Sequence, residues 1–542
     1  MGTKVNSNYE DLLTFTRASK GHALRPVSYG DELVTNGDFS NGTTGWTASG
    51  SQSVVDGKLY WVRSSLGGVY QSVTTKAGSI YVVDFTLSGE VGSVRFSPRD
   101  GSVGGTQIGN VDIGDGTQRL IFVALSSTTV LYWQNTTAGE FYLDDVSVKE
   151  VLFDQPDGTL TLFEHPNNVP RVEYDADGNR LGLLVEESRT NLITHSENFS
   201  NSSWNSNKQG ISVSRDVAVA PDGTLTADKL NETATTDTHR VGFNISSVGD
   251  AVFSFFAKAG ERTFVRTWAF VGGNTAGAEF NLSTGAIVRE HTSGAATIKN
   301  VGNGWYRCSC IVDAASANSV VVGPVTEAVS GNANYAGEAG KGIYIWGAQL
   351  EEASFPTSYM KTTGSTATRS ADVASIPVAD FGYNQSAGTV TVEVDSLMTT
   401  LVGNPMAYNL NNGTSQERLT VFASQGTWRF VATDGNTQQS SLLVGTFGEA
   451  KIASSFEQNK FNHCVNATLG TEDTSGTMPT ITELGIGSQL GGNQLNGHIK
   501  SIKYYPRRLT NVQLLALTGA ETLILTEDRD YLITESNETL IY

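Results

Sequence analysis

The chain is short of several things at once, and each shortage removes a class of protein. It has 3 cysteines in 542 residues. Three is odd, and Cys308 and Cys310 stand two apart in a strand-like stretch, so neither a disulfide framework nor a four-ligand zinc site is expected. They read as small buried hydrophobes. Positive charge is scarce: 36 Lys and Arg against 55 Asp and Glu leave a net charge of −19, the wrong sign for a nucleic-acid partner. Only 17% of residues are charged while 58 are glycine, and helical bundles or coiled coils want more charge and less glycine. No apolar run approaches the ~18 residues of a membrane-spanning helix, so no membrane insertion is expected. The first thirty residues lack the apolar core of a secretory signal, which reads as synthesis in the cytoplasm.

What is present is aromatic and turn-rich. The 23 Phe, 18 Tyr and 8 Trp give ample apolar surface to bury, so the chain is not disordered. Short alternating segments joined by Gly, Asn, Ser and Thr read as an all-β protein of several β-sandwiches. At ~150 residues per domain the length allows three to four.

A weak internal repeat sets the domain boundaries. LVTNGDFSNGTTGW (33–46) and ITHSENFSNSSW (193–204) share a Phe-Ser-Asn core followed by a Trp. Each opens a run of strands, and each run closes on a similar strand, FYLDDVSVKEV (141–151) or IYIWGAQLEEA (343–353). We therefore expect a first jelly roll over 31–150, inserted into the scaffold of a second. The second jelly roll covers 151–361, and its scaffold is 1–30 with 151–192, the latter with a hairpin around Asp177-Gly178. Residues 362–388 read as a linker or strap, and 389–519 as a third sandwich. The third sandwich ends in the one confident helix, capped by Thr510 with Gln513 and stopped at Gly519. The tail, 520–542, repeats at an offset of eight (LILTEDRD, YLITESNE), as a strand-pairing element for oligomers or as a hairpin.

At this point the residues resemble known families. LVTNGDFSNGTTGW with FYLDDVSV resembles carbohydrate-binding-module and galactose-binding-like jelly rolls. LTFTRASKG, NVPRVEYDADGNRLGLLVEESRTNLITHSENFSNSSW, NGWYRCSC and IYIWGAQLEEASFPTSYMKTTGSTATRSADVASI resemble a module of tailed-bacteriophage structural and tail-fibre proteins. NGHIKSIKYYPRRLTNVQLLALT is similar to the end of concanavalin-A-like (laminin-G-like) lectin sandwiches. Together these stretches reach across most of 11–519. The resemblance implies a virion protein, a tail fibre, spike or capsid-decorating fibre. It would be a homo-oligomer with a trimer favoured, in contact with other virion proteins and with host surface polysaccharide.

Catalytic signatures are few. There is no GxSxG elbow and no HExxH, and the 7 histidines are scattered. GEAGKG (337–342) has Ile343 where a phosphate loop needs Ser or Thr. Glu393 and Asp395 share a strand face, as the carboxylates of concanavalin-A-like glucanases do, but Leu397 and Met398 stand where a third carboxylate belongs. No enzyme activity and no required cofactor are expected; a polysaccharide depolymerase and a purely architectural virion protein are the alternatives.

Sugar-binding sandwiches pack a flat ring on the C–H face of the sugar and bond its hydroxyls with planar polar groups. Neighbours in a strand point to opposite faces, so one of Tyr60 and Trp61, and one of Tyr132 and Trp133, must look outward. The candidates are Trp61 with Arg63, Trp133 with Gln134, and Trp428 beside Arg429. Trp46, Trp204 and Trp346 are assigned to cores. Jelly rolls of the resembled class often carry a structural calcium between opening and closing strands, and Asp38, Asp144 and Asp145 are its candidate ligands here.

Overall fold

In a computed structural model, residues 12–135, 137–245, 250–271, 274–291, 296–313, 317–326, 334–398 and 401–519 are described, with the short strands Leu532–Ile533 and Thr539–Leu540. Those two strands pair antiparallel. The rest of the 520–542 repeat lies outside the described residues. The chain divides into two compact units, residues 26–159 and residues 1–25 with 160–542. Strands dominate both, and among the described residues the strand pairings with a defined register are antiparallel, most of them in the sheets of β-sandwiches.

In the unit 26–159, one sheet runs Thr47–Ala48, Gly67–Thr74, Thr128–Asn135, Val94–Phe96, Val111–Ile113, with Arg99–Asp100 alongside Thr128–Asn135. The facing sheet contains Ser51–Val55, Lys58–Arg63, Gly139–Phe153, Ile80–Val91 and Gly116–Val123. Period-2 alternation sends Leu59 and Trp61, Val69, Phe85 and Leu87, Leu131 and Trp133, and Phe141 and Leu143 into one core.

The larger unit holds two sandwiches. The first packs Ile211–Ala218, Ala227–Glu232, Gly342–Glu351, Asp250–Ala259, Trp305–Asp313 and Ala296–Asn300 against a sheet that includes Val241–Asn244, Ala317–Val325 and Phe264–Val271. Cys308 and Cys310 are buried in its core, as small hydrophobes. The second sandwich packs two seven-stranded sheets around Val390, Tyr408, Leu419, Phe430, Ile452 and Phe461. Its helix, Asn511–Thr518, has the expected box: the Thr510 hydroxyl accepts from Gln513 N and the Gln513 side chain accepts from Thr510 N. Among the described residues no helix is long and apolar enough to cross a membrane.

Two boundary expectations are corrected. Residues 1–30 and 151–192, expected to scaffold the second jelly roll, do so only in part: Leu24 and Leu162 share a buried cluster with its Ala227, Phe256, Trp305 and Trp346, but Thr14–Thr16 pairs with Val373–Pro377, which pairs with Glu483–Ile486 of the last sandwich. The hairpin Val172–Tyr174 with Arg180–Val185 turns at Asp177-Gly178 as expected, but it joins the last sandwich through Leu183 opposite Ile499. The stretch 362–388 is no mere strap, because it supplies Ala367–Arg369 and Val373–Pro377 as paired strands. These pairings link residues hundreds of positions apart, and local periodicity carries no record of such partners.

A buried ionic cluster joins the same segments. Arg17 and Arg171 bond Asp372, Arg171 lies 2.8 Å from Glu186, and Arg369 lies 3.4 Å from Glu186, all with fully buried side chains. Burial alone would raise the Glu186 carboxyl, but Arg369 and Arg171 overcome it and hold it at about 2. Removing one partner of such a cluster leaves a bare buried charge, costing ~3–5 kcal/mol.

Candidate functional site: the outward face of the Gly67–Thr74 sheet

The alternation in Gly67–Thr74 and Thr128–Asn135 that buries Val69 and Trp133 must turn their neighbours outward. Three register rows result. Gln134 lies between Gly68 and Arg95, with Asp112 beyond Arg95. Tyr132 lies beside Tyr70, which lies beside Thr47. Val130 lies between Ser72 and Arg99.

The middle row is aromatic. Tyr70 and Tyr132 meet edge to face, with ring centroids 6.0 Å apart at 87°. The Arg99 guanidinium stands 5.7 Å from the Tyr132 ring centroid, a cation–π contact that leaves Tyr132 8% exposed and Tyr70 the more open ring. The Arg99 Nε is buried and has no hydrogen-bond partner among the described residues. Arg95 Nε donates to Asp112 Oδ1 at 2.6 Å, a bond that raises the pKa of Arg95 and lowers that of Asp112. Gly68 keeps the end of the Gln134 row bare: a Cβ there would stand 2.0 Å from the Trp133 carbonyl oxygen. The face therefore sets one half-buried ring, one buried amide and two half-buried guanidinium groups in adjacent rows, planar donors and acceptors of the kind that suit vicinal hydroxyls.

The sequence-predicted residues fall on both sides of the sheets. Gln134 is on this face, 8% exposed. Trp133 is not: it is fully buried, its ring 4.8 Å from Phe96 and 5.2 Å from Phe85. Trp61 is fully buried, stacked on Phe141 at 5.1 Å, with Nε1 donating to Ser49 O. Trp428 is fully buried in the last sandwich, 5.8 Å from Phe447. None of the three can offer a ring to a sugar, and the correction has one physical reason: the larger, more apolar member of each pair takes the core position. The outward members are Tyr60, Tyr132 and Arg429. Arg63 shares the inward parity of Trp61 and lies against Gly67, where a Cβ would come 2.6 Å from its Nη1; it does not join Gln134. Tyr70, Arg95 and Arg99 were not foreseen. A period-2 count outward from Val69 would have found Tyr70; nothing local marks the arginines.

The calcium candidates stand where the opening and closing segments meet, with Val146 N donating to Gly37 O between them. Asp38 is exposed and accepts from Ser40 N and Oγ at 3.2 and 3.0 Å. Asp144 accepts from Asp145 N at 2.9 Å, and burial raises its pKa, with the Asp145 and Asp38 charges adding to the rise. Asp145 is exposed, at φ 52°. Among the described residues no group of three or more His, Cys, Asp or Glu side chains is arranged to hold a metal ion, and a calcium ion wants six or more oxygens. In the last sandwich Asp395 lies 3.7 Å from His498 Nδ1, while His498 Nε2 lies 2.7 Å from Glu173.

With the fold and face defined, the chain is an all-β protein built from β-sandwiches. No family model and no curated protein matches it. Solved structures it is similar to include a CBM4 carbohydrate-binding module (TM-score 0.19, 15% identity, 22% of this chain and 99% of that one). Another is the CBM22-1-CBM22-2 tandem domain of Paenibacillus barcinonensis Xyn10C (TM-score 0.20, 14% identity, 60% and 98%). A third is the LG4-5 pair of the mouse laminin alpha1 chain (TM-score 0.20, 8% identity, 50% and 86%).

Proposed function

We propose that this protein is a non-enzymatic glycan-binding adhesion protein of a virion surface, a tail fibre, spike or capsid-decorating fibre. It acts as a homo-oligomer, with a trimer favoured, and engages host-surface polysaccharide. The observation that carries the glycan reading is the Tyr70–Tyr132 row flanked by Gln134, Arg95 and Arg99. The virion reading is supported by the spread of phage-module stretches along the sequence. Single-face affinity for a sugar is modest, and three copies on one particle raise it through effective concentration.

The test is a glycan array with the purified oligomer, followed by Tyr70→Ala. Removing a stacking ring worth ~1–1.5 kcal/mol lowers single-site affinity about tenfold. No binding to any glycan at high protein concentration would leave the architectural alternative standing in its place. Reducing ends released from host capsule would support the depolymerase instead.

A further inference from the structure

The other sheet of the 26–159 unit has an outward face of its own. In Lys58–Arg63, Gly139–Phe153 and Ile80–Val91, the residues Leu59, Trp61, Phe141, Leu143, Phe85 and Leu87 fill the core. Their neighbours point away from it. One register row runs Ser53, Tyr60, Tyr142, Ser88. On one side of it Glu140 lies between Val62 and Val91. On the other side Asp144, Thr86 and Thr117 share a row. Each residue of these three rows is exposed or half-buried, so the face is open to solvent.

An aromatic pair stands at its centre. The half-buried Tyr60 and Tyr142 rings lie side by side, centroids 4.9 Å apart at 34°. Tyr60 OH donates to Glu140 Oε2, which fixes its ring. Beyond Tyr142 the exposed Gly89 holds φ 64°, and a Cβ there would stand 3.0 Å from Tyr142 Cδ2, so the bare backbone leaves that ring edge clear. Asp115 sits at the same edge, accepting from Gly89 N at 3.2 Å and Glu90 N at 3.1 Å. The charge around the rings is one-sided. Glu140, Asp144 and Asp115 flank them, and Lys58, whose charge is felt by Asp144, is the one ammonium set against these three. Among the described residues none of the three carboxylates is ion-paired with a Lys, Arg or His side chain. One row further out the habit differs: Asp84 is closed by Arg119 through bonds of 2.7 and 2.9 Å. The first face of this unit has the opposite sign, with Arg95 and Arg99 beside its tyrosines.

We propose that this face is a second glycan site, on the sheet opposite the first, and that it takes an amine-bearing sugar, a hexosamine whose amino group is free. The ammonium stands over the Tyr60–Tyr142 pair, with Glu140 on one flank and Asp115 on the other. Aromatic faces attract a cation, and open carboxylates supply its counter-charge through charge-assisted hydrogen bonds. Ser53, Ser88 and Thr86 set short hydroxyls around the rings, groups that both donate and accept as sugar hydroxyls do, which favours a sugar over a lysine-rich peptide. The proposal goes beyond the glycan reading above and rests on it.

Isothermal titration of the full chain at pH ~6, where carboxylates are ionised and amines protonated, tests it. The probes are the β-1,4-linked glucosamine hexamer, chitohexaose, which is the same chain N-acetylated and neutral, and a lysine hexapeptide, which carries the charge without the sugar. We expect the glucosamine hexamer to bind about tenfold or more tighter than either, and its lead over chitohexaose to shrink as salt rises. Tyr142→Ala should weaken it about tenfold, and Tyr142→Phe, which keeps the ring, should keep most of the affinity. Glu140→Gln should weaken it through the lost charge. Ser53→Arg, at an exposed position in the Tyr60 row, should repel the ammonium without touching the core. Chitohexaose or the lysine peptide binding as tightly as the glucosamine hexamer overturns the proposal, and so does binding unchanged in Tyr142→Ala and Ser53→Arg. If Tyr70→Ala abolishes binding while those two variants leave it intact, the second site falls but the glycan reading stands. If no glycan binds, in titration or on the array, both fall.

Discussion

The two jelly rolls are built on one frame and use it differently. In each, a Phe and a Trp meet in the core: Phe39 and Trp46 at 5.2 Å, Phe199 and Trp204 at 4.6 Å. In each, the indole Nε1 donates to the backbone nine or ten residues upstream, to Asn36 O or His195 O. In each, the closing strand donates to the opening segment next to that position, Val146 N to Gly37 O and Ala348 N to Ser196 O. The residue before the donor is left-handed in both, Asp145 at φ 52° and Gly347 at φ 61°. One place earlier the copies part. The first has Asp144, half-buried at the surface. The second has Trp346, fully buried against Tyr359 at 4.6 Å and Phe256 at 5.4 Å, its Nε1 donating to Thr226 Oγ1. The same frame thus leaves this strand face partly open in one copy and seals it under an aromatic cluster in the other. A shared motif fixes the core and says nothing about which surfaces stay free to bind.

The comparison is broken most severely at its shared anchor. Trp46→Ala and Trp204→Ala should each cost about 3–5 kcal/mol, since both empty a core of a fully packed indole. Calorimetry of the full chain should show each variant lowering the transition of its own unit. If one variant were silent, the two frames would not be equivalent.

Acid sharpens the contrast between the units. Glu186 is held at about 2 in the folded chain, below the ~4.3 of a free Glu. A depressed carboxyl contributes stability that is present above the unfolded pKa and lost as pH falls through the folded one. The larger unit should therefore lose about 3 kcal/mol between pH ~4.5 and pH ~2 from this group. Asp228, raised to about 6 by burial, acts in the opposite sense and relieves a penalty between pH ~6 and pH ~4. Urea midpoints of wild type and Glu186→Gln, followed with pH, separate the two: the gap between them should close toward pH ~2. In the 26–159 unit Asp144 is also raised by burial, so protonating it should not destabilise that unit.

Much of this was legible beforehand, and the remainder fails for definable reasons. Period-2 patterning, Gly-rich turns and the Phe–Trp repeat are local, so the sandwiches, the Asp177-Gly178 turn and the Thr510 cap could be read directly. The alternation of Tyr60 with Trp61 and of Tyr132 with Trp133 was also legible, but alternation alone does not say which face meets the core. The partner strand decides that: Phe141 opposite Trp61 and Phe96 opposite Trp133 draw the indoles inward. Arg95 and Arg99 reach the Tyr132 face only because Val94–Phe96 and Arg99–Asp100 pair with Thr128–Asn135, a matter of tertiary register.

The smallest effects probe the left-handed position where the frames correspond. Gly347 needs its lack of a side chain twice over. Its φ is positive, and a Cβ would stand 2.8 Å from Phe256 Cδ2 and 3.3 Å from Tyr359 Cε2. Gly347→Ala should cost about 1–3 kcal/mol through strain and displacement of the aromatic cluster. Asp145 holds the same backbone in the open and is one of the residue types that tolerate it. Asp145→Gly relieves a small strain but loosens the unfolded chain, and the two nearly cancel, leaving stability within about 0.5 kcal/mol of wild type. Urea midpoints measure both. An equal and large loss at the two sites would mean that Asp145 performs a service in its loop beyond accepting the turn.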